Sequence, residues 1–174
     1  VLLKEVHHRV KNNLQIISSL LRLQAGQLED DQVHEMFEVS QGRVRTMALL
    51  HEKLYQSEDL ARVDFAEYIR SLVGFLFRSY GSHAEGVAPE LDIAEVQLGL
   101  DTAIPCGLII NELVSNALKH AFKGRRGGAV RISLRRHEGG SVTLTVADSG
   151  NGFPEGLDFR ETESLGLQLV VTLT

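Results

Sequence analysis

The sequence predicts an α+β chain in two parts, a helical hairpin followed by a sandwich with helices on one face of a sheet. Three observations lead there. Apolar residues recur at helical spacing through two long segments before residue 57, and shorter runs replace that pattern afterwards. A helical segment ending near Phe122 has an apolar back and a front of four polar side chains. A strand-like run, Val142 to Ala147, leads directly into an Asp-and-glycine turn.

In chain order, residues 2–28 form the first helix. Leu3, Val6, Val10, Leu14, Ile17, Leu21 and Leu28 mark one face, with Asn13, Leu20 and Gln24 beside them. Lys4, His8, Lys11, Gln15 and Arg22 point the other way. A polar connection from Ala25 to Asp31 precedes a second helix over 32–56, whose inner stripe is Val33, Met36, Phe37, Ser40, Val44, Met47, Leu50, His51 and Leu54. Two such helices on a short connection make an antiparallel hairpin. Its wide apolar face has little to bury it, so pairing with a second copy into a four-helix bundle is expected.

The pattern changes after Ser57, which divides the chain into domains at 1–57 and 58–174. Leu60 to Val63 reads as a short strand. Asp64 caps a helix over 65–79 that buries Phe65, Tyr68, Ile69, Leu72, Phe75 and Leu76. Gly81 to Pro89 is read as a loop, and strands follow at 90–94 and 96–100. Asp101 or Thr102 caps the central helix, with Pro105 close enough to its start to be tolerated. Lys123 to Gly128 is a basic, glycine-rich turn. Residues 129–136 and 141–147 alternate as a hairpin around Glu138-Gly-Gly140.

Composition narrows the function. The 174 residues carry a net charge of −5, so neither nucleic acid nor an anionic membrane is an implied partner. The single cysteine, Cys106, excludes an intrachain disulfide and fits a reducing, cytoplasmic setting for this region. No apolar run approaches transmembrane length. The chain opens and closes inside helical patterns and reads as part of a larger protein, with a sensor domain expected upstream.

The central helix carries the chemistry. Glu112, Asn116, Lys119 and His120 fall on one stripe, opposite Ala103, Gly107, Ile110, Val114, Ala117 and Ala121. Oxygen donors suit a hard cation such as magnesium, and basic groups suit phosphate. A solvated polar face would account for the stripe if it stood alone. It is followed, however, by Asp148-Ser-Gly-Asn-Gly152 and then by Ser164-Leu-Gly166-Leu-Gln-Leu-Val170. In that order and spacing the three motifs resemble the GHKL ATP-binding domain, shared by histidine kinases and type II topoisomerases, and most closely that of the sensor histidine kinases. Residues 112–120 match the N box, 148–152 the first glycine box and 164–170 the second.

The resemblance implies an α/β sandwich that binds Mg-ATP, with its last strands lying beyond the end of this chain. It implies Asn116 as the magnesium ligand and Glu112 as holding the metal or the attacking group. Lys119 and His120 would face the phosphates. Asp148 would accept from the adenine amino group, while Gly150 and Gly152 let the backbone approach the base. Gly166 would open a helix whose amides receive phosphate, and residues 153–164 would form a lid, with Arg160 either a phosphate contact or an exposed arginine. Asn111, roughly 140° from Asn116 on the wheel, is expected to be structural.

Glu5-Val-His-His-Arg-Val-Lys-Asn-Asn-Leu-Gln15 resembles the phosphoacceptor box of a subgroup close to the HWE histidine kinases. There the histidine before Arg-Val-Lys-Asn accepts the phosphoryl group, which is His8 in this chain, with His7 the competitor. Such a nucleophile must be neutral and exposed, and an exposed histidine, with a reference pKa of about 6.5, is largely neutral near pH 7. Many relatives carry an acidic residue just after the histidine. Here Arg9 stands in that place, so Glu5 or Glu112 is the candidate proton acceptor. His51, on the inner stripe, is expected to be packed and hydrogen-bonded. The chain has no tryptophan and has Asn111 where the HWE group usually has histidine, which assigns it to the neighbouring subgroup.

The function implied is a homodimeric sensor histidine kinase that autophosphorylates His8 and passes the group to an aspartate of a response regulator receiver domain. The alternatives are a phosphotransfer or scaffold protein with a degenerate ATP site, or another GHKL ATPase or serine kinase. Loss of Asn116 or the glycines would mark the first, and none is lost. The second has no need of a histidine-bearing hairpin.

Overall fold

The structure, a computed structural model, describes residues 2–26, 30–56, 61–81, 85–153, 156 and 165–173. Leu28 and the domain boundary near residue 58 lie outside the described residues. Two long helices, α1 (Leu2–Ala25) and α2 (Asp31–Gln56), pack side by side as the hairpin. A three-residue strand β1 (Arg62–Asp64) then leads into α3 (Phe65–Tyr80).

The buried side of α1 differs from the stripe expected. His7, Ser18 and Ala25 are the buried positions, while Val6, Ile17 and Leu20 are exposed. The buried face has therefore shifted around the helix by roughly 60°, and Val10, Leu14 and Leu21 of the expected stripe remain half-buried. Apolar side chains cover more than half of its circumference, so the wheel alone does not choose a face. The contact of His7 with His51 sets the choice, and Ser18 is small enough to pack inside. On α2, Leu50 is fully buried, whereas Met36, expected inside, is exposed.

Asp64 caps α3 as the sequence predicts, its carboxylate accepting from the Glu67 amide at 2.9 Å. The expected face of α3 is buried apart from Phe75, which is half-buried. Strands β2 (Val87–Ile93) and β3 (Gln97–Gly99) follow. The first begins three residues before the expected run and includes Pro89. Proline is tolerated there because β2 is an edge strand of its sheet, hydrogen-bonded to a neighbour on one side.

The central helix α4 (Leu100–Asn116) is capped by Gly99 without a side-chain hydrogen bond, so neither Asp101 nor Thr102 caps it. Antiparallel pairing of β3 with β1 carries Gly99 in extended backbone straight into the helix, and Asp101 falls inside the first turn. Gly107 presses on the ring of Tyr68, where an added Cβ would stand 3.0 Å from Cε1 and Cζ. The Tyr68 hydroxyl donates to the Thr46 carbonyl of α2 at 3.3 Å, and burial pushes its pKa far up. A phenol held protonated is a permanent donor, so Tyr68 pins α3 and α4 to the hairpin.

After α4 the backbone widens into a π turn, Ala117–Ala121. Strands β4 (Gly128–Arg136) and β5 (Val142–Asp148) form the expected hairpin, and the sheet order is β2-β4-β5, with β2 parallel to β4. Val130, Ile132 and Leu134 of β4 alternate inward and join α3 and α4 in one core. The last described element is α5 (Leu165–Leu173). No helix among the described residues is long and apolar enough to cross a membrane.

Candidate functional site

The three motifs converge on the C-terminal half of α4. Gly166, near the start of α5, lies against Glu112, and a Cβ there would stand 2.5 Å from Glu112 Oε2 and 3.8 Å from Asn116 Nδ2. The second glycine box thus closes over the carboxylate and amide of the N box. The first glycine box is clipped to the far end of the same helix. The Asn151 amide donates to the Ala121 carbonyl at 2.8 Å, and Asn151 Nδ2 donates to the Lys123 carbonyl at 3.1 Å. Gly150 packs directly on Ala121.

Asp148 ends β5 and is exposed, with Oδ1 accepting from the Gly150 amide at 2.9 Å in an Asx turn. Gly152 has φ +70, a left-handed conformation that suits glycine and turns the chain away from the strand. Asn116 is half-buried and His120 exposed. The Lys119 ammonium stands 5.0 Å over the ring of Tyr80. The π turn accounts for that position, because it places Lys119 and His120 at different angles from those of a continuous α-helix. π turns of this kind are frequent at functional sites. Phe153 is exposed, while Arg160, Ser164 and most of the expected lid lie outside the described residues.

Glu112 is almost fully buried. Arg43 of α2 grips it with two hydrogen bonds, Nε to Oε1 at 2.8 Å and Nη2 to Oε2 at 2.9 Å, and Asn111 Nδ2 donates to Oε1 at 3.1 Å. The paired carboxylate raises the Arg43 pKa above its ordinary value, against the opposing effect of burial. Asn111 is itself buried and accepts from the Thr46 hydroxyl at 3.1 Å. Sequence reasoning missed Arg43 and Thr46. The available signal was Gly42, Arg43 and Thr46 at helical spacing beside the apolar stripe of α2, a small and polar patch suited to docking. Cys106 is half-buried and burial raises its thiol pKa, which disfavours the nucleophilic thiolate.

In the hairpin the two adjacent histidines separate. His7 is buried, its Nδ1 3.1 Å from Nδ1 of His51, while His8 is exposed with Asn12 Nδ2 3.5 Å from its Nδ1. Glu5, one turn before His8, is bonded to Arg9 at 2.8 Å. That bond, with the arginine's charge, holds the Glu5 carboxyl below its ordinary pKa. Both candidate proton acceptors are thus paired with arginines.

Residues 83–174 match a family described as the histidine kinase-like ATPase domain, and residues 5–80 match one described as histidine kinase. The chain belongs to the histidine-kinase family. It is similar to the sensor histidine kinase PdtaS of Mycolicibacterium smegmatis, 34% identical over 176 residues that cover 98% of this chain and 34% of the relative. It is also similar to blue-light-activated histidine kinase 2 of Erythrobacter litoralis, 34% identical over 97% of this chain and 49% of that one. The chain therefore spans between a third and a half of the length of these relatives. Among solved structures, the histidine kinase domain of the Erythrobacter litoralis EL346 blue-light-activated kinase superposes with a TM-score of 0.73 at 29% identity. That likeness covers 98% of this chain and 79% of the other.

The donor set fits Mg-ATP in kind. Asn116 supplies a neutral oxygen and Glu112 a carboxylate, the hard ligands that magnesium takes with substrate phosphates. Asp148 keeps a second carboxylate oxygen beyond its turn, the type of acceptor an adenine amino group requires. The Glu112 oxygens, however, already serve Arg43 and Asn111.

Proposed function

We propose that this chain is the catalytic region of a sensor histidine kinase, which moves the γ-phosphoryl group of Mg-ATP to His8 and then to an aspartate of a receiver domain. The observation that carries the acceptor is the contrast between neighbours, His7 buried against His51 and His8 exposed. An attacking imidazole has to reach a phosphorus in line with its leaving oxygen, which a buried ring cannot do.

In the first step a His8 ring nitrogen bonds to the γ-phosphorus as the bond to the β,γ-bridging oxygen breaks, releasing ADP. The displaced ring proton passes to a base, and Glu5, one turn away on the same helix, is the nearer of the two candidates. In the second step a receiver aspartate oxygen bonds to phosphorus, the N–P bond breaks, and His8 regains a proton from solvent. Asn116 and Glu112 would hold magnesium, whose charge offsets that on the phosphates. Lys119 and His120 are the proposed phosphate contacts, Asp148 selects adenine, and Gly150, Gly152 and Gly166 admit the nucleotide backbone. Val6, Ile17, Leu20 and Leu23 leave an apolar stripe exposed on α1, which supports the proposal that the hairpin pairs with a second copy.

The test is transfer of labelled γ-phosphate from Mg-ATP to the wild type, His7→Ala and His8→Ala. Acid-labile, base-stable label lost in His8→Ala and kept in His7→Ala is the expected result. Loss only in His7→Ala would move the acceptor. Absence of label in all three, with nucleotide bound, would overturn the kinase reading of this chain.

A further inference from the structure

The Glu112 carboxylate is claimed twice. Arg43 holds both of its oxygens, with side-chain exposures of 17% for Arg43 and 3% for Glu112, and Asn111 adds a third donor. One turn along α2, Thr46 reaches Asn111, so the hairpin docks on the consecutive residues Asn111 and Glu112, where the N box begins. Gly42 completes the fit, since a Cβ there would stand 3.4 Å from both Asn111 Oδ1 and the Tyr80 hydroxyl. Gly166 covers the remaining approach to Oε2. Three of the carboxylate's roughly four acceptor positions are thus taken by protein donors.

The docking point is also displaced from the acceptor. His51 marks the level of His7 on the hairpin, and Arg43 lies eight residues earlier on α2, about 12 Å along the helix axis. While Arg43 holds Glu112, the N-box carboxylate stays about two turns from the level of His8.

We infer that Arg43 is a positioning residue acting through Glu112, and that its bidentate pair is a clamp in which hairpin docking and metal-nucleotide binding exchange one carboxylate. This rests on the reading of the N box as the Mg-ATP site. With Arg43 engaged, the hairpin is docked and Glu112 is withheld. When Glu112 turns to the metal-nucleotide, Arg43 is released and the hairpin moves relative to the ATP domain. Linkage makes the effect reciprocal, so nucleotide weakens docking by the factor by which docking weakens nucleotide binding.

The test is calorimetric titration of the full chain with the magnesium complex of a non-hydrolysable ATP analogue, which reads binding without phosphoryl transfer. Arg43→Met is expected to tighten binding about fivefold, within the usual range of coupling between sites. Arg43→Lys keeps the charge without the two-pronged grip and is expected to fall between wild type and Arg43→Met, which also carries the test if the methionine variant does not fold. In the Glu112→Gln background, Arg43→Met should leave the affinity unchanged. As a second readout, spin labels at Ser19 and Thr145, both exposed, should move apart when nucleotide is added to the wild type. Unchanged or weaker binding in the Arg43 variants, or equal tightening without Glu112, would overturn the clamp while the nucleotide site stands. A wild type that binds no magnesium-nucleotide would overturn the site and the clamp with it.

Discussion

Gly150→Ala separates close packing from backbone freedom at the first glycine box. A Cβ at Gly150 would stand 2.6 Å from the Ala121 Cβ and 2.8 Å from the Ala121 carbonyl carbon, with the carbonyl oxygen closer still. Those atoms belong to backbone or to the first side-chain carbon, so no flexible end can swing away. Relief requires the turn and the π segment to part, and that stretches the 2.8 Å bond from the Asn151 amide to Ala121. Overpacking of this kind costs about 1–3 kcal/mol and a lost hydrogen bond about 1 more, so the sum is about 2–4 kcal/mol. For a chain of this size that lowers Tm by roughly 6–12 °C, measured by calorimetry or circular dichroism. Gly152→Ala is the control. Nothing lies within 4 Å of its Cβ, so only the φ of +70 penalises alanine, by about 1–2 kcal/mol or roughly 3–6 °C. A Gly150→Ala protein that melts within about 2 °C of wild type, or above Gly152→Ala, would refute the packing argument.

Asp148→Asn keeps an oxygen for the Asx turn with the Gly150 amide but replaces the other carboxylate oxygen with an amide donor. ATP affinity should fall at least about tenfold by calorimetry, with Tm held within about 1 °C, because a donor then faces the adenine amino group. Equal affinity in the two proteins would remove Asp148 from the nucleotide site. His51 supplies a pH prediction. Its folded pKa lies below the unfolded value, through burial first and the charge of His7 second. Above about pH 6.5 the ring is neutral in both states; as pH falls further, the unfolded chain takes up a proton that the folded chain resists. Stability is therefore complete above that pH and lost as pH falls toward the folded pKa, so Tm should drop between pH 7.5 and 5.5. His51→Gln should show a shallower drop, and parallel slopes would refute the assignment.

The legible parts of this chain were those decided within a few residues. Asp64 reads as a cap because its partner, Glu67, is three residues on. The β4–β5 hairpin reads from alternation and from Gly139 and Gly140, whose φ values of +96 and +87 close the turn. Each nucleotide motif is likewise local, which is why their order and spacing pointed to a family. The rotation of α1 was not legible, because apolar residues leave several faces equally suitable and the distant His51 decides between them. Nor was the start of β2, where Pro89 signals a loop unless the edge position of the strand is known.

The state of Glu112 shows why the site was only partly readable. Its stripe with Asn116 is a property of one helix, visible from spacing alone. Whether that carboxylate is offered to a ligand depends on Arg43, 69 positions away, and on Gly166, 54 positions later, neither of which any periodicity connects to it. A buried ion pair adds little net stability, because desolvation offsets the attraction, yet losing one partner leaves an uncompensated charge. Such a pair is a weak source of stability and a sensitive determinant of which domain arrangement persists. In the proposed clamp, a ligand that supplies Glu112 with a competing cation would remove the reason for Arg43 to stay. On the proposed reading, the N box is both a binding element and the surface that holds the hairpin bearing His8.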